Sequence, residues 1–105
     1  MTFDNVKYQK LAEVLEMAYA RASEGKGHKH HSHGEAFEDQ WILRGTKVFG
    51  LGGPLFQIGK KAEQVAKMDG EHYPVQPIIN ELLDVINYSA AAVIYLKENC
   101  GEEKT

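Results

Sequence analysis

The chain has 105 residues, of which 43% are hydrophobic, and a formal net charge of −3 at pH 7. A chain of this length forms one ordinary domain, so we assign residues 1–105 to a single unit. The mild negative charge and the lack of a long basic run argue against a nucleic-acid polymer as a partner. The one cysteine, Cys100, rules out an internal disulfide framework and fits a reducing cytoplasm, where we expect the protein to reside.

The first predicted helix covers about residues 5–24, with Asp4 or Asn5 as its N-cap. Gly25 and Gly27 are expected to end it. Its apolar positions recur at helical spacing: Val6, Leu11, Val14, Leu15, Ala18 and Ala22.

A histidine-rich loop is predicted at residues 25–34. Histidines at such spacing can bind zinc, nickel or copper. The sequence has no second Cys or His pair to complete a tetrahedral structural site. The segment therefore has two readings, a loop that closes over a polyphosphate and a plain solvated loop.

The second helix is predicted from Glu35 toward Val48, and a third follows a glycine-rich loop at residues 50–54. Pro54 suits the first turn of that third helix, because a proline there loses no helical hydrogen bond. Gly59 falls on its apolar side, where the lack of a side chain would let another helix approach closely. The apolar positions of the third helix are Leu55, Ile58, Ala62 and Val65.

The fourth predicted helix is the longest and the most apolar. Pro74 and Pro77 bracket its start, Gly101 fits its end, and residues 101–105 are expected to fray. Nearly every face of residues 78–96 carries Ile, Leu, Val or Ala, and a helix that is apolar all round is normally buried between partners.

Such a helix is hard to cover within one small chain, because a monomer of this size buries only about two-thirds of its unfolded surface. We therefore predict an all-α fold of four helices completed by a homo-oligomer, most simply a symmetric dimer. The same helix is long enough to span a membrane, but Glu81 and Asp84 lie near its centre and acids are costly in lipid. We expect no membrane partner.

Three pairs of acids are three residues apart, and Glu13 and Glu16 on the first helix show that the spacing alone is common; the other two pairs are candidates for a metal site. Glu81 and Asp84 are three residues apart, so they project from one face of the fourth helix. Both stay charged in an apolar setting only if a positive group offsets them. A divalent cation is the simplest candidate, and the alternative is an exposed pair that is hydrated or matched to a lysine. Glu35 and Glu38 repeat the spacing, and pairs from facing helices would give four carboxylates to one metal.

The segment ELLDVINYSAAAVIYL, residues 81–96, resembles the acidic helix of MazG-like nucleoside triphosphate pyrophosphohydrolases of the all-α dUTPase superfamily, whose motif is Glu-x-x-Glu followed by Glu-x-x-Asp. The likeness covers roughly residues 34–96. More narrowly, a succession of short motifs is similar to phage members associated with nucleotide modification: His33-Gly34-Glu35, Gly53-Pro54-Leu55, Lys60-Lys61 and Asp84-Val85-Ile86-Asn87-Tyr88.

The resemblance implies an oligomeric helical bundle, a homodimer or homotetramer, that binds Mg²⁺ or Mn²⁺ and cleaves (d)NTP to (d)NMP and pyrophosphate. The phage likeness favours purine deoxynucleotides, dGTP or dATP. By position, Glu81 and Asp84 match the Glu-x-x-Asp metal ligands. The usual place of the Glu-x-x-Glu pair is filled by Lys60-Lys61-Ala62-Glu63. We therefore take Glu35 and Glu38 as the first pair, with Glu63 as the alternative ligand.

Hydrolysis of a phosphoanhydride needs neutralised phosphate charge and a positioned water rather than a protein nucleophile. A spare carboxylate, Glu35 or Glu38, can accept the proton of that water. The remaining candidates each have a structural alternative. Lys60 and Lys61 can bind phosphate or lie on a solvated face, Asn87 can bind ligand or be satisfied in the core, and Tyr88 can stack on a base or pack inside.

A second class of function stays open. A helical dimer that binds a nucleotide or a protein partner without turnover would retain the bundle and would explain why the Glu-x-x-Glu pair is missing from its usual place. A carboxylate-bridged iron protein is disfavoured, because no glutamate in the sequence has a histidine three residues later.

Overall fold

A computed structural model describes residues 3–24, 36–68 and 72–99. Within these ranges the regular elements are all helical and no strand occurs. The four α-helices are α1 (Gln9–Glu24), α2 (Trp41–Phe49), α3 (Gly52–Met68) and α4 (Val75–Asn99), and short 3₁₀ turns at Val6–Tyr8 and Phe37–Asp39 precede α1 and α2. The predicted all-α class is confirmed, and the described ranges contain four α-helices, the number predicted for the chain. Glu35, the histidine-rich segment and the C-terminal tail lie outside the described residues.

Local signals in the sequence account for where the helices begin and end. The side chain of Asn5 accepts a hydrogen bond from the backbone N–H of Lys7 at 2.9 Å, as expected of a cap, although the turn that it starts is 3₁₀ rather than α. Gly50 ends α2 with a φ of 71°, a left-handed conformation that glycine adopts without strain. Pro54 lies in the first turn of α3, as predicted.

The central element is α4, which packs against α1, α2 and α3. Its most extensive contact is with α3, its neighbour along the chain. The fully buried side chains Leu43 and Thr46 come from α2, and Ala91 of α4 is also fully buried. The core is therefore built around one long helix that the other three flank.

The predicted apolar stripe of α3 faces the interior only in part. The buried residues of this helix are Pro54 and Lys61, seven apart on one face, whereas Leu55 and Ala62 are exposed. Ile58 and Val65 of the predicted stripe are half-buried, so the buried face of α3 is displaced from the expected one by less than the roughly 100° between neighbouring residues. Lys61 points inward because it pairs with acids of α4. A side chain added at Gly59 would meet nothing within 4 Å, so the close approach expected there does not occur.

Neither α1 nor α4 is covered as far as the sequence predicts. In α1, Ala12 and Ala18 are buried, but Leu11 and Val14 of the predicted stripe are exposed. In α4, Leu82 and Val93 are exposed although the helix is apolar all round. By length and composition alone, α4 is the one helix among the described residues that could cross a membrane, a property that core helices of soluble proteins share.

Candidate functional site

Two acidic and two basic side chains meet where three helices come together. Arg21 comes from α1, Lys61 from α3, and Glu81 and Asp84 from α4. Asp84 lies at the centre with only 5% of its surface exposed. We call these four residues the ion cluster.

The contacts within the ion cluster are short. Arg21 Nε donates to Asp84 Oδ1 at 2.7 Å, and Arg21 Nη2 donates to Oδ2 at 3.4 Å. Lys61 Nζ donates to Glu81 Oε1 at 2.9 Å and lies 3.3 Å from Asp84 Oδ2. Asp84 is therefore held by two cations from two different helices. Glu81 shares the lysine.

The ion cluster lies largely inside the protein. The exposed fraction of the side chain is 7% for Asp84 and 10% for Lys61, against 21% for Arg21 and 25% for Glu81. Burying a charge is costly unless it is paired and hydrogen-bonded, and these contacts offset that cost. The positive group that the sequence requires beside Glu81 and Asp84 is thus supplied by the chain itself. This agrees with the alternative in which a lysine, rather than a metal ion, offsets the two acids, but the pairing occurs in the interior and not at an exposed helix end.

The ion cluster also changes the proton affinities of its neighbours. Burial alone would lower the pKa of Lys61, but the hydrogen bond to Glu81 and the negative charge of Asp84 outweigh it, and the pKa is raised above 10.5. Burial raises the pKa of Tyr88, partly opposed by the positive charge of Lys61. Tyr88 therefore lies within electrostatic reach of the ion cluster and keeps its proton at neutral pH.

Asn87 follows Asp84 on α4 and contacts α1. Its Nδ2 donates to the backbone carbonyl of Ala18 at 3.1 Å. This bond and the Arg21–Asp84 pair join the same two helices close together, so α1 is fixed against α4 by two polar contacts. The structure agrees with the reading of Asn87 as an amide satisfied within the fold.

The other predicted site residues that the structure describes lie outside the ion cluster. Glu38 is exposed in the turn before α2, and Lys60 is exposed on α3. Glu63 is also exposed and lies 3.9 Å from Lys67. Among the residues that the structure describes, no three His, Cys, Asp or Glu side chains come together in a way that could hold a metal ion.

Glu81 and Asp84 nevertheless suit one kind of metal ion. Mg²⁺ usually keeps several waters and binds one or two carboxylates plus the phosphates of a substrate, rather than a cage made of protein alone. Two adjacent carboxylates fit an ion that arrives with a nucleotide. They do not form a complete resident site, and they would have to exchange contacts with Lys61 and Arg21 for contacts with the ion.

A groove of about 550 Å³ runs between α1 and α4 beside the ion cluster. Its walls are mostly apolar, with contributions from Leu15, Phe37 and Ile86, and Asn87 and Gln40 supply polar groups. Clefts of this size and composition are typical of sites for small molecules. Asn87 connects the groove to the ion cluster, because it lines the groove and lies one turn along α4 from Asp84.

Sequence reasoning missed Arg21. The sequence feature that could have identified it is a charged residue on the apolar side of α1, one position before Ala22. A long side chain at that position can reach a buried acid. Comparison of the chain with family models, with curated proteins and with solved structures gives no match. The geometry of the ion cluster and the groove is therefore the basis for a functional proposal.

Proposed function

We propose that the protein is a MazG-like nucleoside triphosphate pyrophosphohydrolase, a cytoplasmic homo-oligomeric bundle that cleaves (d)NTP to (d)NMP and pyrophosphate, with dGTP or dATP as the expected substrates. One observation carries the proposal. The acids of the Glu-x-x-Asp pair, the half-buried Glu81 and the buried Asp84, share the ion cluster with two cations from other helices. A metal–triphosphate complex presents both charges, and the ion cluster offers a partner for each.

In this proposal Glu81 and Asp84 hold Mg²⁺ or Mn²⁺, which when bound neutralises charge on the phosphate oxygens. Lys61 and Arg21 contact the phosphates, because both cations hydrogen-bond to phosphate as they do to carboxylate. Lys60, exposed beside Lys61, provides a second point charge. The ion pairs of the structure thus hold the proposed metal ligands, Glu81 and Asp84, next to the proposed phosphate-binding cations, Lys61 and Arg21.

The groove between α1 and α4 is the proposed place of the base. Asn87 lines it with an amide whose Nδ2 also donates to the backbone carbonyl of Ala18, and Tyr88 is close enough to Lys61 to be affected by its charge. Phe37, the neighbour of Glu38 in the chain, also lines the groove. We assign the role of water-activating base to Glu38 or to Glu35.

The test is release of pyrophosphate from a panel of dNTPs by the full chain with Mg²⁺ or Mn²⁺. We expect Asp84→Asn to lower kcat/KM by at least about 100-fold, because a metal ligand is lost. Glu81→Gln is a second variant, and its partly exposed side chain perturbs folding less. Glu16→Gln, an exposed acid on α1, is the matched control.

Circular dichroism must show that each variant is folded before its rate is compared. Retained activity in folded Asp84→Asn would contradict the site assignment. Absence of metal-dependent release from every dNTP by the wild-type chain would contradict the enzyme itself.

A second candidate is a helical protein that binds a nucleotide or a partner without turnover. The observation that favours it is that Lys61 and Arg21 already satisfy both carboxylates, with no third acid beside them among the described residues. Calorimetry with Mn²⁺ and a slowly hydrolysed dNTP separates the two candidates. Nucleotide binding that needs no metal and leads to no cleavage supports the second.

A further inference from the structure

The turn that joins α2 to α3 carries large apolar side chains on its outer surface. Residues 48–56, which we call the α2–α3 corner, include no charged residue and no side chain that can form a hydrogen bond. Four of its side chains are between 55% and 76% exposed: Val48, Phe49, Leu55 and Phe56. Exposed apolar patches of this kind mark surfaces that contact a protein or a membrane.

We propose that the α2–α3 corner docks on the surface of an anionic lipid bilayer. Its apolar side chains enter below the headgroups, and basic side chains of α2 lie at the level of the lipid phosphates. This inference does not depend on the proposed hydrolase activity. The contact is peripheral, so it replaces the expectation of no membrane partner, which concerned a crossing of the bilayer by α4.

The geometry of the turn brings the apolar groups of two helices together. Gly50 ends α2 and α3 begins at Gly52, so the connection is short. A side chain added at Gly53 would lie 3.8 Å from the carbonyl oxygen of Gly45, which shows how closely the start of α3 approaches α2. The four exposed apolar residues lie within about one helical turn of this connection, so one flat surface can contact them all.

Basic side chains surround the α2–α3 corner. Residues 40–62 contain four basic residues and no acid, although the whole chain has a net charge of −3. Lys61 is paired in the ion cluster, and Lys60 is already assigned to the substrate phosphates. Arg44 and Lys47 of α2, both exposed, are therefore the cations that face an anionic surface.

The two cations stand at a suitable height above the apolar residues. Arg44 comes four residues before Val48, which is about 6 Å along the helix axis. Apolar faces of interfacial helices are buried about 5–10 Å into the boundary between headgroups and acyl chains. Lys47 is nearer the turn, but its long side chain can extend back to the headgroups. Both charges thus reach the lipid phosphates when the corner is inserted.

The backbone of the α2–α3 corner is prepared for a surrounding with little water. The N–H of Gly50 donates to the carbonyl of Thr46 at 2.7 Å. Gly53 and Leu55 donate in the same way, at 3.2 and 3.1 Å, to carbonyls of the turn. Backbone groups without a partner are costly in lipid, and these bonds reduce that cost.

A protein partner fits the α2–α3 corner less well than a lipid surface. Protein interfaces contain about one hydrogen bond per 100–200 Å², and no side chain of the corner can form one. A bilayer requires only apolar contact and a complementary charge, and the corner with α2 supplies both.

The first test is sedimentation of the full chain with vesicles of phosphatidylcholine alone and of an equimolar mixture with phosphatidylglycerol. Each Lys or Arg near an anionic surface strengthens binding by about fivefold, so two should favour the mixed vesicles by about 25-fold. Added salt should reduce this preference. Absence of binding by the wild-type chain to the mixed vesicles would overturn the proposal.

Substitutions locate the contact. Phe49→Ser and Phe56→Ser should each lower the partition coefficient by about 10-fold, because a ring no longer enters the lipid. Lys47→Gln should lower it by about fivefold, and only on the anionic vesicles. The matched controls are Tyr73→Ser, an aromatic residue that is 50% exposed before α4, and Lys67→Gln, about 17 Å along α3 from Phe56.

Both controls should bind as the wild type does, and circular dichroism must show that each variant is folded. Equal losses in the controls and in the corner variants would refute the inference. So would a Phe49→Ser variant that dissociates an oligomer in light scattering while its vesicle binding is unchanged. Binding of a single-stranded oligonucleotide in place of vesicles would refute it as well.

A second measurement keeps an aromatic side chain at the corner, which matters if the serine variants fail to fold. Phe49→Trp places an indole at the corner, and lipids brominated along their acyl chains quench indole fluorescence on contact. We expect quenching in mixed vesicles beyond that of the wild-type chain. A vesicle-bound Phe49→Trp variant without this extra quenching would show that another surface binds the lipid.

Discussion

The change of Lys61 to methionine tests whether the ion cluster stabilises the fold. Methionine keeps much of the length and the apolar part of the lysine side chain but removes its charge. Glu81 then loses its hydrogen bond of 2.9 Å, and Asp84 loses a cation at 3.3 Å. We expect a clear loss in the free energy of unfolding.

The size of the loss follows from what each acid retains. Hydrogen bonds to charged groups contribute about 1.5–3 kcal/mol, and breaking a buried ion pair costs about 3–5 kcal/mol. Asp84 still has Arg21, and the Glu81 side chain is 25% exposed and can recover water. Both facts reduce the cost, so we expect about 2 kcal/mol.

The assay is urea unfolding at neutral pH and one fixed protein concentration, followed by circular dichroism. Lys67→Met on the same helix is the matched control. The Lys67–Glu63 pair is 3.9 Å apart, with 75% and 73% of the side chains exposed, and such pairs contribute less than about 1 kcal/mol. If Lys61→Met were no more destabilising than Lys67→Met, the stabilising role assigned to the ion cluster would be refuted.

Three further predictions concern pH and packing. The fold holds the proton of Lys61 more tightly than the unfolded chain does, so the stabilisation that Lys61 contributes should persist to about pH 10 and be lost at higher pH. The raised pKa of Tyr88 acts in the same direction, and urea unfolding at pH 8–11 measures both. Leu43→Ala, at a position with no exposed surface, should cost about 2–4 kcal/mol, and Leu55→Ala much less. Asn87→Ala should lower the free energy of unfolding by about 1 kcal/mol, because it removes the hydrogen bond to the backbone carbonyl of Ala18 in α1. Thermal melts of Leu43→Ala and Asn87→Ala measure the two losses.

Several helix ends could be read from the sequence because short-range rules govern them, but the second helix, predicted from Glu35, begins only at Trp41 after the extended residue Gln40. Asn5 caps the first turn, Gly50 adopts a left-handed conformation, and Pro54 begins a helix, and each outcome depends on a few neighbouring residues. The face that each helix buries depends instead on distant residues. The rotation of α3 is an example, since apolar spacing favoured Leu55 and the acids of α4 drew Lys61 inward.

Only part of the candidate site could be predicted from the sequence, for the same reason. Two acids three residues apart in an apolar helix imply a positive partner, and that requirement was visible in the sequence. The identity of the partner was not visible. Arg21 is 63 positions from Asp84, and Lys61 is 20 positions from Glu81, so only the packing of three helices brings them together.

The unequal lengths of chain closed by these ion pairs have a consequence for the order of folding. Joining Lys61 to Glu81 closes a short loop within the hairpin of α3 and α4, whereas joining Arg21 to Asp84 closes one about three times longer. Longer loops lose more conformational entropy on closure. We therefore expect the hairpin to form before α1 docks, and α1 to detach first during local opening. Backbone amides of α1 should accordingly exchange with deuterium sooner than those of the hairpin.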